Sequence, residues 1–175
     1  MDKVECIVVG AGPSGSACAI ELARRGVETV VLERGEQVGH KNVASFALFG
    51  TVLSTIIPGY ESEAPLERLV RDLSMVMLRY DDFFEVRSRL SGLEAREPIH
   101  TAYRSRFDAW FAGKAEEAGA TLLRGVCVTG LLKENGRVVG VKVGDEEMLA
   151  DVVVGADGFH SVVSRESGLY VDDTS

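Results

Sequence analysis

The stretch Val4-Glu5-Cys6-Ile7-Val8-Val9-Gly10-Ala11-Gly12-Pro13-Ser14-Gly15-Ser16-Ala17-Cys18-Ala19 decides the fold. Val4 to Val9 is short, β-branched and apolar on both faces, the pattern of a strand buried inside a parallel sheet. Gly10 to Gly15 is a G-x-G-x-x-G turn. Ser14 to Arg25 carries apolar residues at helical spacing, among them Ala17, Ile20, Leu22 and Ala23, and Gly26 stops it. Thr29 to Leu32 is a second buried strand that closes on Glu33. Strand, glycine turn, helix and strand make one βαβ unit.

Each glycine has a physical reason. Gly10 permits the tight turn out of the strand. Gly12 lets a pyrophosphate approach the backbone, and Gly15 lets the helix pack close to the strand. The helix N-terminus offers unpaired N–H groups and partial positive charge to phosphates, and Pro13 and Ser14 join the candidate cofactor-binding residues. Glu33 stands where the second strand ends, 18 residues after Gly15 in the chain. A carboxylate there accepts the ribose hydroxyls of an adenosine and repels a 2′-phosphate, favouring FAD or NAD over NADP. Arg34 counts the other way, since a neighbouring arginine accommodates that phosphate.

Outward from this unit, Gly35 to Ala44 reads as loop and Phe46 to Ile57 as a helix ended by Pro58-Gly59. Leu69 to Tyr80 and Phe83 to Arg89 hold strand-like patches of an inserted sheet or hairpin, although Leu66 to Leu78 also fits a helix. Residues of about 60–100 therefore form a candidate substrate-side insertion. Arg106 to Ala118 predicts a helix, with Phe107, Trp110, Phe111 and Ala115 at helical spacing. A strand at Thr121 to Leu123 follows. Val126 to Lys133 and Val138 to Val143 predict a hairpin through Asn135-Gly136, where both residues tolerate positive φ. Val126, which opens that strand, joins the candidate cofactor-binding residues. A last strand, from Met148 or Leu149 to Val154, runs into Gly155-Ala156-Asp157-Gly158 and a short helix. This order predicts an α/β, Rossmann-like FAD/NAD(P)-binding domain with a mostly parallel sheet and an additional β-hairpin.

Composition narrows the function classes. The 175 residues carry a net charge of -8 and are 46% hydrophobic. Without clustered Lys and Arg, that charge argues against a nucleic-acid surface. No secretory leader and no stretch of about 20 apolar residues is visible, so a cytoplasmic location is expected, with peripheral membrane contact left open. Cys6, Cys18 and Cys127 are odd in number and far apart. Neither they nor His40, His100 and His160 make a disulfide frame or metal set.

The chain resembles a known family. Gly10 to Gly15 with Glu33-Arg34-Gly35 is similar to the N-terminus of geranylgeranyl reductase and FixC-like flavoproteins. Gly39-His40-Lys41-Asn42-Val43 resembles the Gly-x-Lys-Asn-Val stretch of FixC-type dehydrogenases and electron-transfer-flavoprotein:quinone oxidoreductases. Tyr103-Arg104-Ser105-Arg106-Phe107-Asp108-Ala109-Trp110-Phe111, with Lys114 to Ala120, resembles the FixC branch. Val152 to Gly158, followed by Ser161 and Arg165, resembles the Asp-Gly motif of FAD-dependent hydroxylases; on chemistry alone it reads equally as a helix cap and tight turn.

The resemblance implies an FAD-dependent oxidoreductase. It would pass electrons between an electron-transfer flavoprotein or ferredoxin-like partner and a quinone-like or isoprenoid acceptor. It also implies Arg104 against the FAD pyrophosphate or ribose, Lys41 and Asn42 near the flavin, and Asp157 and Gly158 near the riboflavin–pyrophosphate segment. No catalytic acid–base pair is assigned. Two departures stand out. Ala44-Ser45-Phe46 replaces a glycine-rich stretch. Family members also run well past this length, so an N-terminal fragment carrying the ADP-binding half is expected, with an apolar edge that favours self-association. A flavin hydroxylase and a non-catalytic nucleotide-binding module are the other readings.

Overall fold

The computed structural model describes residues 3–89 and 98–170. The chain divides into two units, Met1–Val43 with Ser105–Ser175, and Ala44–Arg104.

The first unit is the expected Rossmann-like α/β fold. Strand β1 (Val4–Val9) leads into helix α1 (Pro13–Arg24) and strand β2 (Thr29–Glu33). In the second unit come β3 (Ser45–Phe49), α2 (Gly50–Ile56), β4 (Leu66–Leu69), β5 (Asp72–Arg79), β6 (Asp82–Arg89) and β7 (Ile99–Tyr103). Helix α3 (Arg104–Glu117), β8 (Thr121–Arg124), β9 (Gly130–Glu134), β10 (Arg137–Val143), β11 (Glu146–Gly155) and α4 (Val162–Ser167) complete the order.

A six-stranded sheet runs β8-β2-β1-β11-β10-β9. β8, β2, β1 and β11 are parallel, so the chain between them crosses over instead of turning back as a hairpin. β11 serves two partners. Its first half pairs antiparallel with β10, Gly140 opposite Leu149, and its second half runs parallel to β1, Val152 opposite Cys6. β9 and β10 form the hairpin through Asn135 (φ 50) and Gly136 (φ 78), the pair of positive values that a two-residue turn matched to strand twist demands. The core gathers Ile7, Val9, Val30, Leu32, Val128, Leu131, Val141, Ala150 and Val163. Removing water from each of the valine, leucine and isoleucine side chains contributes roughly 1.5–3 kcal/mol. Helix α1 buries Gly15, Ser16, Ala19 and Ile20; small residues on this face bring its axis close to the sheet.

The second unit holds a three-stranded sheet, β3-β7-β4, and a separate β5–β6 hairpin. Two expectations change here. Phe46 to Ile57 is not one helix: β3 occupies its first part, with Phe46 and Leu48 half-buried between exposed neighbours, the two-residue alternation of a strand paired to β7. Helix α2 begins only at Gly50. The helical alternative for Leu66 to Leu78 is also replaced, by β4 and β5. In the first unit, Val126 to Thr129 is not strand. The Val126 N–H bonds the Glu33 carbonyl at 2.9 Å instead, and β9 starts at Gly130. Among the described residues no helix is long and apolar enough to cross a membrane.

At the end of β1 the glycine turn is held by close backbone approach. Gly10 has φ +100, and a Cβ on it would meet the Ala156 carbonyl oxygen at 2.5 Å. A Cβ on Gly15 would stand 1.8 Å from the Gly10 carbonyl oxygen, whereas one on Gly12 would meet nothing within 4 Å. Gly15→Ala is therefore expected to cost at least about 2 kcal/mol through overpacking against backbone, and Gly12→Ala close to nothing. Urea unfolding midpoints of the two variants check this; equal midpoints would refute the packing described.

Candidate functional site

A cleft of about 260 Å³ opens at the carboxyl ends of β1, β2 and β11. This is where an open α/β sheet places a ligand, because strand order there diverges to both sides. Its floor is the end of β1 (Val9, Gly10) and the end of β2 (Leu32, Glu33). The Ala156-Asp157-Gly158 turn forms one side, and the 34–43 loop and Val126 to Val128 form the other.

The two glycine-bearing turns, near opposite ends of the sequence, meet here. The Ala156 N–H bonds the Val9 carbonyl at 2.9 Å and the Gly10 N–H bonds the Leu32 carbonyl at 2.8 Å. The ends of three strands are thus tied into one rim. Gly12 lies on that rim with open space where a side chain would project. Behind it, Pro13 opens α1 at a position where the missing N–H costs no helical bond. Ser14 is exposed and Gly15 buried in the same first turn, whose leading N–H groups have no partner within the helix. Ser16 secures the turn, its hydroxyl donating to the Ala11 carbonyl at 3.1 Å.

Both acidic residues singled out from the sequence are engaged with backbone. Glu33 accepts the Ala11 N–H at 3.0 Å on Oε2 and the Gly35 N–H at 2.8 Å on Oε1. Its carboxylate therefore joins the glycine turn to the start of the next loop while lining the cleft. Asp157 accepts the Ser161 hydroxyl at 2.6 Å on Oδ1 and the N–H groups of Val162 and Val163 at 2.6 and 3.2 Å on Oδ2. Ser161 in turn caps α4, accepting the Ser164 N–H at 2.8 Å. The cap reading of the Asp-Gly turn is therefore realised, and the turn also borders the cleft. With Asp157 committed to α4, what the turn presents to the cleft is chiefly backbone.

Of the residues picked from sequence, Gly10, Gly12, Glu33, Arg34, Lys41, Asn42, Val126, Asp157 and Gly158 line the cleft. Pro13, Ser14 and Gly15 stand behind it in α1. Arg104 is assigned to the second unit, its guanidinium 5.8 Å from the Phe46 ring centre. The polar residues Gln37, Asp108, Cys127 and His160, not assigned to a cofactor site from sequence, also line the cleft. Asp108 had a legible signal. It shares a helical stripe with Phe111, Ala112 and Ala115, and a charge on a buried stripe calls for a partner. The structure supplies one, the Asn42 side-chain amide, which donates to Asp108 Oδ2 at 2.6 Å. Among the described residues, no three His, Cys, Asp or Glu side chains gather as a metal site.

The cysteines differ in reactivity. Cys127 is exposed on the cleft. Burial pushes the Cys6 thiol up from its ordinary pKa, helped by neighbouring Cys18, and burial raises Cys18 as well. Fewer thiolates and poorer access act together at both. At pH 8 a thiol reagent should modify Cys127 at least about tenfold faster than the other two; peptide mapping that found Cys6 or Cys18 labelled first would contradict this.

A family model described as an FAD binding domain matches residues 3–175. The probable electron transfer flavoprotein-quinone oxidoreductase YdiS of Escherichia coli (strain K12) is 38% identical over 171 residues, spanning 96% of this chain and 39% of its own length. Protein FixC of Salmonella typhi is 36% identical over 170 residues, 96% of this chain and 40% of its own. This chain thus spans about two-fifths of these curated relatives. Among solved structures, a geranylgeranyl bacteriochlorophyll reductase-like protein from Thermoplasma acidophilum superposes with TM-score 0.73 at 26% identity, over 91% of this chain and 40% of that one. PqsL, a probable FAD-dependent monooxygenase from Pseudomonas aeruginosa, has TM-score 0.73 at 19% identity, over 98% and 46%, a likeness of fold alone.

Proposed function

Because this chain belongs to the FAD-binding domain family, we propose that the cleft holds FAD by its adenosine diphosphate half, as part of an oxidoreductase that passes electrons from an electron-transfer flavoprotein to a quinone. One observation carries the binding mode. Of the glycines in the G-x-G-x-x-G turn, Gly10 and Gly15 are required by backbone packing, whereas Gly12 faces open space on the cleft. A side chain there would fill the space that a pyrophosphate needs.

The residues fit that group. The first turn of α1, at Pro13, Ser14 and Gly15, directs N–H groups and the positive end of the helix dipole toward phosphates. Glu33 is held by two N–H groups with lone pairs left for the ribose hydroxyls. Arg34 borders this adenosine end. Lys41 and Asn42 line the wall formed by the 34–43 loop and extend toward the flavin end, and Val126 supplies apolar contact. Asp157 keeps Gly158 and its backbone against the cofactor by fixing the turn to α4. Bound FAD supplies the redox chemistry; the chain supplies binding, orientation and charge. The quinone and electron-transfer flavoprotein follow from the relatives' names and from the Lys41-Asn42 and Arg104-to-Asp108 stretches that resemble theirs.

The purified chain mixed with FAD and desalted should keep flavin absorbance in roughly equal stoichiometry, and FAD should shield Cys127 from thiol reagents. Gly12→Val should lose both effects while remaining folded. Flavin retained equally by Gly12→Val, or a folded wild-type chain that retains none, counts against this binding mode. The electron route is tested on the same complex: reduced electron-transfer flavoprotein should bleach the flavin and a soluble quinone should restore it. Flavin reduced only by NAD(P)H, with oxygen consumed, would instead favour a hydroxylase.

A further inference from the structure

We propose that Asp108 is a positioning residue for the cleft, its buried carboxylate pinning through Asn42 the loop that carries Lys41. The inference rests on the proposed cofactor role of the cleft. Asp108 is 1% exposed, on the face of α3 that also buries Phe107, Phe111 and Ala112. A carboxylate in such surroundings is tolerated only when hydrogen-bonded. Its bond with the Asn42 amide is short, 2.6 Å, and joins segments distant in sequence.

The loop of residues 34–43 is tied at its exit by the Ala44 carbonyl, which accepts the Arg104 N–H at 3.0 Å, so the tie that matters for Lys41 is one inside the loop. Its first part is secured by Glu33 through the Gly35 N–H and by the Gly35 carbonyl, which accepts the Gly125 N–H at 3.1 Å. Val38 is buried midway. Beyond it the loop's own backbone bonds are local turns, His40 N–H to Gln37 and Asn42 N–H to Gly39. These shape the loop but do not attach it to the sheet or to a helix. The Asn42–Asp108 bond does so, one residue past Lys41. Lys41 is exposed and lines the cleft, and a mobile lysine there would spend its charge on solvent rather than on a bound anion. Asp108 thus acts through Asn42, by holding the wall in place.

The test uses the full chain and its variants. In Asp108→Ala and in Asn42→Ala, hydrogen exchange of the backbone amides at 37–43 should quicken about tenfold, with β1 and β11 unchanged. FAD affinity should fall about five- to tenfold in either, and the double alanine variant should be no worse than one single variant, since both remove the same bond. The combined swap Asn42→Asp with Asp108→Asn restores a donor–acceptor pair and should recover wild-type exchange of the loop amides, the readout that a direct contact of Asn42 with the cofactor would not restore. Asn42→Ala serves if the buried substitution at Asp108 unfolds the chain. A merely structural Asp108 would lower stability without loop-specific exchange. Loop exchange unchanged in Asn42→Ala, or additive affinity losses, would overturn the pin. Loop exchange that quickens as expected, in a chain that takes up no FAD, would uphold the pin and sink the cofactor reading instead.

Discussion

The contact on which this structure depends is the one between the first turn of α1 and the backbone that leaves β1. Gly15 lies so near the Gly10 carbonyl that not even a methyl group fits between them, and Gly10 in turn lies against the carbonyl of Ala156. Helix, first strand and last strand converge on three residues. That convergence brings the helix N-terminus to the rim of the sheet and leaves Gly12 facing outward. A bulkier turn would push the helix away and close the space that a diphosphate needs.

Around this contact, acidic side chains act as braces. Glu33 bridges the glycine turn and the following loop, Asp157 caps α4, and Asp108 takes the Asn42 amide. Each carboxylate accepts donors from the chain itself and so orders the segments that border the cleft.

Much of this was legible in one dimension because the deciding interactions are local. The βαβ unit, the packing roles of Gly10 and Gly15 and the position of Glu33 are all contained between Val4 and Glu33, and the Asn135-Gly136 turn signals its hairpin by itself. The misread elements depend on distant partners. Phe46 to Phe49 is a strand because β7 pairs with it, and its alternation is too short to stand out beside the apolar helix that follows. Val126 to Thr129 looks like strand by composition, yet its leading N–H is taken by the last carbonyl of β2, at Glu33, beyond which that strand offers it no ladder. β11 changes partner halfway along, from antiparallel pairing with β10 to parallel pairing with β1, which no period in its sequence records. The link from Asp108 to Asn42 joins α3 to a loop far earlier in the chain, and only the misplaced charge on an apolar stripe hinted at it.

Recognition of the cofactor through its adenosine diphosphate half is tested most directly by calorimetric titration of the folded chain with FAD, ADP, FMN and riboflavin in turn. FAD and ADP should bind and compete with one another, while FMN and riboflavin should give no measurable heat. Binding of FMN with ADP inert would place recognition at the flavin end and contradict it.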